Sequence, residues 1–466
     1  MKKLTTYLWM TLLAGGLALG LSSLKPAEAH ASCLPTEEEI EAYKADGSFE
    51  ERQAYFDALE YDNVSPELLQ NALQREEPNF LFSAGENIPE SWKGAPVTGD
   101  VKVLAIQVEF QDMTFEDSKI YPEDIFYQMF NNTEGSETLP YPYESLHAYY
   151  LRSSYGQLSF SSGDVYRCTL SKNRADYDGS FSGEQDLLRE VFEMLDEEID
   201  YNDYDSDGDG CVDAVYVNFA GENTGWASTW WSHKYNFQDT EFELDGQKFG
   251  GYVFLETDTD YGYGCQTIIH ESGHILGLPD YYASPYSSGH GLQTTDMMNN
   301  NNGDHNGFSK WLLGWIPDEN IQKVTKADGE QDISLAPISS ESLTDQKLIA
   351  VIAPEDTSIY SEYFLVQYDE PIQNNTYAAS ETGYRVFHVD AQLNYEGTDF
   401  MYDNLYCTEP MLISALLQKD KEYINRDFYL PGDVLNSDTN DSTWFYGESI
   451  SSYTGISLSE FQTNAI

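Results

Sequence analysis

The chain has 466 residues and carries 80 acidic side chains against 24 basic ones, a formal net charge of −56. A polyanion of this strength disfavours nucleic acid and anionic membrane surfaces as partners, and it suits solubility and the attraction of divalent cations. Once a leader is set aside, the length exceeds one core of ordinary size and allows two or three domains.

At the start, Lys2 and Lys3 precede an apolar run from Tyr7 to about Leu24 and the small-residue stretch Ala27-Glu28-Ala29. This is the pattern of an export signal, with cleavage before His30 or, as the second choice, after Ala31. It predicts residues 1–29 as a signal peptide on a secreted protein. The alternative is an uncleaved membrane anchor, against which stand Gly15, Gly16, Gly20 and the cleavage site. No later stretch approaches the ~20 apolar residues of a membrane span. The five cysteines, Cys33, Cys168, Cys211, Cys265 and Cys407, include no C-x-x-C pair. That argues against a cysteine zinc site and leaves disulfide pairing open.

From Cys33 to about Glu77 the sequence reads helical. Thr36 with Glu39 and Ser48 with Glu51 form capping boxes, and Ser65-Pro66 is a third helix start. Residues 78–99, rich in Pro and Gly, read as a linker. A strand follows from Val101 to Phe110, then a Tyr-rich helix from Tyr141 to Tyr155, and a strand from Leu158 to Tyr166. Leu187, Leu188, Val191, Met194 and Leu195 make a helical stripe within Glu184–Asp196, and residues 212–220 form another strand candidate.

The segment Asp203-Tyr204-Asp205-Ser206-Asp207-Gly208-Asp209-Gly210-Cys211-Val212-Asp213 alternates acids with small residues. Calcium takes six to eight oxygens, and acids at alternate positions before a sharp glycine turn can wrap one ion. Two registers fit, one starting at Asp203 with Gly208 in the turn and one at Asp205 with Gly210. The second also places Asp213 well. Neither has a glutamate at position twelve, so this is not a full EF-hand. The candidate calcium ligands are Asp203, Asp205, Asp207, Asp209 and Asp213; the plainer reading is a solvated acidic loop, which mutual repulsion opposes.

The sharpest pattern is His270-Glu271-Ser272-Gly273-His274-Ile275-Leu276-Gly277-Leu278-Pro279-Asp280. In a helix His270 and His274 share a face and can hold one zinc ion, while Glu271 sits one position round, suited to act as general base on a water molecule. Gly277 can end the helix in a left-handed conformation, and Pro279 prevents its resumption. Asp280 then becomes the third zinc ligand, leaving a fourth position for water. Such a centre hydrolyses peptide bonds.

Downstream, Thr295-Asp296-Met297-Met298-Asn299-Asn300 has the place of a methionine turn beneath a metal, the hallmark of the metzincin clan, with Met298 fitting better than Met297. His305 is a candidate for substrate contact, packing being the plainer reading. Tyr281 or Tyr282 is a candidate for stabilising the oxyanion. His388 with Asp390 alternates on a strand and reads as structural. Beyond Trp315 short apolar runs at 347–352, 363–368 and 384–389 alternate with turn residues, as in a β-rich domain.

Several segments together resemble the immune inhibitor A family of secreted bacterial metallopeptidases, a metzincin-like group. The resemblance is carried by Val103–Asp112, by Tyr149-Tyr150 through Ser154-Tyr155-Gly156-Gln157-Leu158, by the acidic loop at Asp205, by the histidine motif, and by Gly307–Ile316. Further on, Tyr363-Phe364-Leu365-Val366 and Phe387-His388-Val389-Asp390 continue it. It implies a zinc endopeptidase made as a zymogen with an N-terminal propeptide, with calcium as a structural ion. A cysteine holding the zymogen's zinc, with Cys33 in that role, is a weaker option. Thr295 departs from the tryptophan usual before the Asp of the family's turn, and Asn299 to Asn302 are unusually Asn-rich.

The expected fold is α+β: a signal peptide at 1–29, a helical propeptide and linker at 30–98, a metzincin-like catalytic domain at 99–318 and a β-rich domain at 319–466. The expected partners are protein or peptide substrates, laid along an edge strand of the catalytic sheet. Two other readings stay open: an inactive relative serving as an extracellular binding or adhesion module, and a zinc hydrolase of glycoconjugates.

Overall fold

The run Val101–Phe110 has too little alternation for a strand with a wet face, and it forms an interior strand of a sheet. A computed structural model describes residues 35–76, 94–115, 123–132, 144–177, 180–256, 265–283, 291–376 apart from 293, 382–407, 410–418 and 428–440, with scattered positions from 443 to 461. The signal segment, Cys33 and most of the linker lie outside the described residues. Strand β1 (Gly99–Glu109) pairs in parallel with β2 (Leu158–Thr169) on one side and with β4 (Val215–Phe219) on the other. Strand β7 (Gly251–Leu255) continues the parallel set, and β5 (His233–Asn236) closes it as an antiparallel edge, giving the order β2-β1-β4-β7-β5. The short β3 (Cys211–Val212) and β6 (Lys248–Phe249) pair separately.

A strand between parallel neighbours is covered on both faces, and the period-2 alternation of β1 divides its side chains between two cores. Leu104, Ile106 and Val108 pack with Leu187, Leu188, Val191 and Phe192 of helix α6 (Phe181–Leu195). Val101, Val103 and Ala105 face the other way, into the core shared by helices α5 (Leu146–Ser153) and α7 (Cys265–Ile275). Helix α4 (Glu123–Asn131) adds Phe126 and Phe130 to that core.

The N-terminal region folds as helices α1 (Glu37–Asp46), α2 (Phe49–Asp57) and α3 (Pro66–Glu76). The capping box at Thr36 forms as expected. The one at Ser48 does not, because the Asp46 carboxylate takes both the Ser48 N–H, at 2.9 Å, and its hydroxyl, at 2.7 Å. Leu68, Leu69, Ala72 and Leu73 of α3 join the central core. Tyr55, Phe56, Leu59 and Tyr61 bury against Trp226, Trp231, Tyr282 and Leu405.

A second sheet has the order β12-β11-β10-β9-β8, formed by β8 (Ile321–Thr325), β9 (Ile349–Ala353), β10 (Glu362–Asp369), β11 (Gly383–Asp390) and β12 (Ile413–Ala415). Ile349, Val351, Leu365, Phe387 and Val389 face the same core as α7 and the helices α8 (Met297–Asn300) and α9 (Gly307–Leu312). Ala350, Phe364, Val366 and Val386 face the other way, toward Phe445, Ile456 and Phe461. The chain is therefore mixed α+β, and residues from Val64 to Ile413 share one continuous core. Among the described residues no helix is long and apolar enough to cross a membrane, and Cys168, Cys211, Cys265 and Cys407 are free thiols.

Candidate metal centre

Every residue of α7 is buried, so its polar side chains must answer to partners inside the protein. His270 Nδ1 lies 2.7 Å from the carbonyl oxygen of Met297, and His274 Nδ1 lies 2.8 Å from that of Leu278. A carbonyl only accepts, so each Nδ1 carries the hydrogen, and each neutral ring presents the Nε2 lone pair. The two Nε2 atoms stand 3.3 and 3.5 Å from Asp280 Oδ1. Neutral imidazoles put lone pairs against a carboxylate there, and none of the four atoms (His270 Nε2, His274 Nε2 and both Asp280 oxygens) has a hydrogen-bond donor.

Such an arrangement repels itself unless a proton or a metal cation lies between. With a proton, burial disfavours the His270 charge, but the hydrogen bond and charge of Asp280 outweigh it and push the pKa to about 9. With zinc, ligand bonds of about 2.0–2.1 Å at tetrahedral angles put donor atoms roughly 3.3–3.4 Å apart. The separations observed match that edge, so the three side chains fit a zinc ion.

The local sequence explains the convergence. After α7 the Gly277 N–H bonds the His274 carbonyl at 3.0 Å and the Leu278 N–H bonds that of Gly273 at 2.9 Å. Gly277 has φ +95°, a conformation that favours glycine, and the turn carries Asp280 back to the histidines. Gly273 is needed for a different reason. A β-carbon there would stand 2.4 Å from Met298 Sδ, so the thioether lies against the stretch of helix between the two histidines. Met297 supplies the carbonyl that orients His270, and Asp296 caps α8 by accepting from the Met298 N–H at 2.9 Å.

A buried charge cluster holds this turn from behind. Arg152 bridges Glu144 at 2.7 Å and Asp304 at 2.8 Å, and Lys310 reaches Asp304 at 3.1 Å. The Ser153 hydroxyl donates to Asp304 at 2.6 Å. Burial opposes the Asp304 charge, but Arg152 and Lys310 hold its carboxyl far below the usual carboxylate range. Burial pushes Lys310 down to about 8. On the other side Arg385 forks onto Asp369, at 2.7 and 3.0 Å, and donates to the Thr295 carbonyl at 2.6 Å. None of these charges stands out by sequence in so highly charged a chain.

The remaining candidates fall in different places. Glu271 is fully buried, and its Oε2 receives the Tyr61 hydroxyl at 3.3 Å. His305 is a core residue among Tyr149, Tyr150 and Trp315, where burial pushes its pKa down to about 3. The Tyr281 hydroxyl is spent on Ser309 at 2.7 Å. Burial and the neighbouring Asp280 charge hold the Tyr282 hydroxyl well above its usual pKa. His388 pairs with Glu362 at 2.9 Å, its ring between Phe364 and Tyr446, while Asp390 accepts from Gln392.

In the acidic loop Asp205, Asp207 and Asp209 converge, with carboxylate oxygens within 4.8 Å of one another. Asp203 turns to Lys102 at 3.1 Å instead. Asp213 accepts from the Ser206 N–H at 2.8 Å, and burial raises its pKa to about 7.

No family model matches the chain. It is 26% identical over 234 residues to the Pre-pro-metalloprotease PrtV of Vibrio cholerae serotype O1, in two strains, a match that takes in 40% of this chain. The match spans only 25% of that protein's length. Among solved structures, OgpA from Akkermansia muciniphila aligns with 68% of this chain and 97% of its own at 12% identity, with a TM-score of 0.26, too low to bear on the fold. The chain is thus distantly related to a metalloprotease.

Proposed function

We propose that the chain is a secreted zinc-dependent endopeptidase of the metzincin type, with His270, His274 and Asp280 as metal ligands and Glu271 as general base. The observation that carries this reading is the convergence of two Nε2 lone pairs on a buried carboxylate, each ring fixed by a carbonyl on its other nitrogen. The distant metalloprotease relationship supports it, and the order of motifs along the sequence supports a place near the immune inhibitor A family. Zinc, when bound, would lower the pKa of a water molecule and polarise the scissile carbonyl.

The protein's own groups do the rest. Glu271 takes the proton of the attacking water and hands it to the leaving amine. Strand β5, paired on only one side among the described residues, offers its other edge to an extended peptide. Met298 and Met297 hold the floor of the centre. Residues 1–29 would direct export, 30–98 form the propeptide and linker, 99–318 the catalytic domain and 319–466 the β-rich domain.

The test of the ligand set is metal content. The wild type is expected to hold about one zinc per chain against a chelator that strips the Asp280→Ala variant, since a three-ligand site loses a third of its protein donors. Equal retention by both would reassign the third ligand.

The converging carboxylates of Asp205, Asp207 and Asp209 support a structural calcium ion in that loop. Chelating calcium should then lower the wild-type melting temperature by about 5 °C and leave a variant with Asp205→Ala and Asp207→Ala unmoved. Identical shifts in the two proteins would remove the loop as the site.

A further inference from the structure

One side chain from the N-terminal region lies inside the candidate centre. Tyr61 sits between α2 and α3, is only 4% exposed, and its ring stacks on that of His274 with centroids 4.1 Å apart and planes 4° from parallel. Its hydroxyl accepts the backbone N–H of Lys234 at 2.7 Å. The same hydroxyl's hydrogen faces the Lys234 carbonyl at 3.0 Å and Glu271 Oε2 at 3.3 Å. Lys234 is on the edge strand β5. Its N–H and C=O are the pair that an incoming extended peptide would use.

The backbone around Tyr61 ties down the opposite wall. The Tyr61 carbonyl accepts the Asp280 N–H at 2.8 Å, and the Ser65 N–H donates to the Gly277 carbonyl at 2.9 Å. A β-carbon on Gly277 would meet Ser65 Cβ at 2.5 Å, so the two segments are in close contact. Residues 61–65 therefore reach from the edge strand to the loop that delivers the third carboxylate. What remains of the cleft is a cavity of about 210 Å³ lined by Tyr61, Asn63, Lys234, Asn236, His274 and Leu278. Upstream anchors fix the segment: the Tyr55 hydroxyl bonds buried Glu184, and Arg52 bonds the carbonyls of Trp226 and Thr224.

We propose that Tyr61 is the occluding residue of a latent form: one phenol takes the edge-strand groups that would bind substrate, the carboxylate that would act as base, and the open face of a metal-binding imidazole. The proposal rests on the peptidase reading for its biological sense, but the occlusion is a property of the contacts. No bond to the metal is needed. Latency ends when the segment carrying Tyr61 is displaced from β5 and from the Asp280 loop, which breaks the hydrogen bonds from Ser65 and Asp280.

The test uses the full, uncut chain with Tyr61→Phe, which keeps the ring and loses the hydroxyl, and Tyr61→Ala, which loses both. Amide hydrogen exchange at Lys234 and hydrolysis of an unfolded protein are read on the same samples. Exchange on β10 in the second sheet is the reference for general loosening. Exchange at Lys234 is expected to quicken tenfold or more in both variants with β10 unchanged, and uncut Tyr61→Ala should hydrolyse the unfolded protein at least tenfold faster than uncut wild type. Unchanged exchange at Lys234 in folded Tyr61→Phe overturns the proposal, as does exchange that rises equally on β10. If exchange rises at Lys234 alone and no form hydrolyses protein, the peptidase reading fails while the occlusion stands. Tyr61→Phe decides the matter if Tyr61→Ala does not fold.

Discussion

Replacing Glu271 with alanine is expected to lower kcat/KM on an unfolded protein substrate by about 10²–10⁴-fold, the usual worth of a positioned general base, while bound zinc stays at the wild-type level. The two effects separate because Glu271 is not among the converging donors: His270, His274 and Asp280 group together, and the Glu271 carboxylate points instead at the Tyr61 hydroxyl. Its removal would therefore leave the proposed ligand set whole and withdraw only the proposed base. Zinc per chain and initial rates should be measured on the same preparation, after the N-terminal segment has been displaced. Equal rates for Glu271→Ala and wild type at equal zinc would end the mechanism. Loss of zinc together with activity would mean that Glu271 helps to hold the metal.

The second large effect is expected at Asp304, which lies outside the group formed by His270, His274 and Asp280. Asp304→Ala leaves Arg152 and Lys310 buried with one anion fewer between them. Breaking a buried pair of this kind costs roughly 3–5 kcal/mol. The lower end applies here, because Glu144 still forks onto Arg152. Lys310, already held near 8 by burial, can also shed its proton. In a chain of this length, with one core from Val64 to Ile413, such a loss lowers the melting temperature by about 3–4 °C. Zinc affinity should drop with it, because Asp304 anchors the segment between Met298 and α9. A shift of less than about 1 °C would show that the cluster contributes little.

The parts of this structure legible in the sequence are those where physics imposes a fixed spacing. Two imidazoles on one helix face must be three or four apart, and a helix that ends to bring back a carboxylate needs a residue tolerant of positive φ, which Gly277 supplies. Strand β1 was legible because burial on both faces leaves a continuous apolar run. Strand β5 was not, since His233-Lys234-Tyr235-Asn236 is short and polar and owes its place to pairing with β7. Local patterns also lost to neighbours they do not contain. Asp46 displaced the capping box at Ser48, and Lys102 drew Asp203 away from the acidic cluster. Tyr61 carries no signal at all among 35 tyrosines. Its meaning lies in a contact with a residue 210 positions away.

The clamp that Arg385 makes on Thr295 and Asp369 has a consequence for timing. The floor of the centre is complete only when a strand near the end of the chain has joined it, whereas Tyr61 leaves the ribosome roughly 320 residues earlier. At about 5–20 residues per second this is a head start on the order of tens of seconds. The covering residue thus precedes the floor of the pocket in order of synthesis, so a chain that folds from its N-terminus has Tyr61 to hand before that floor closes.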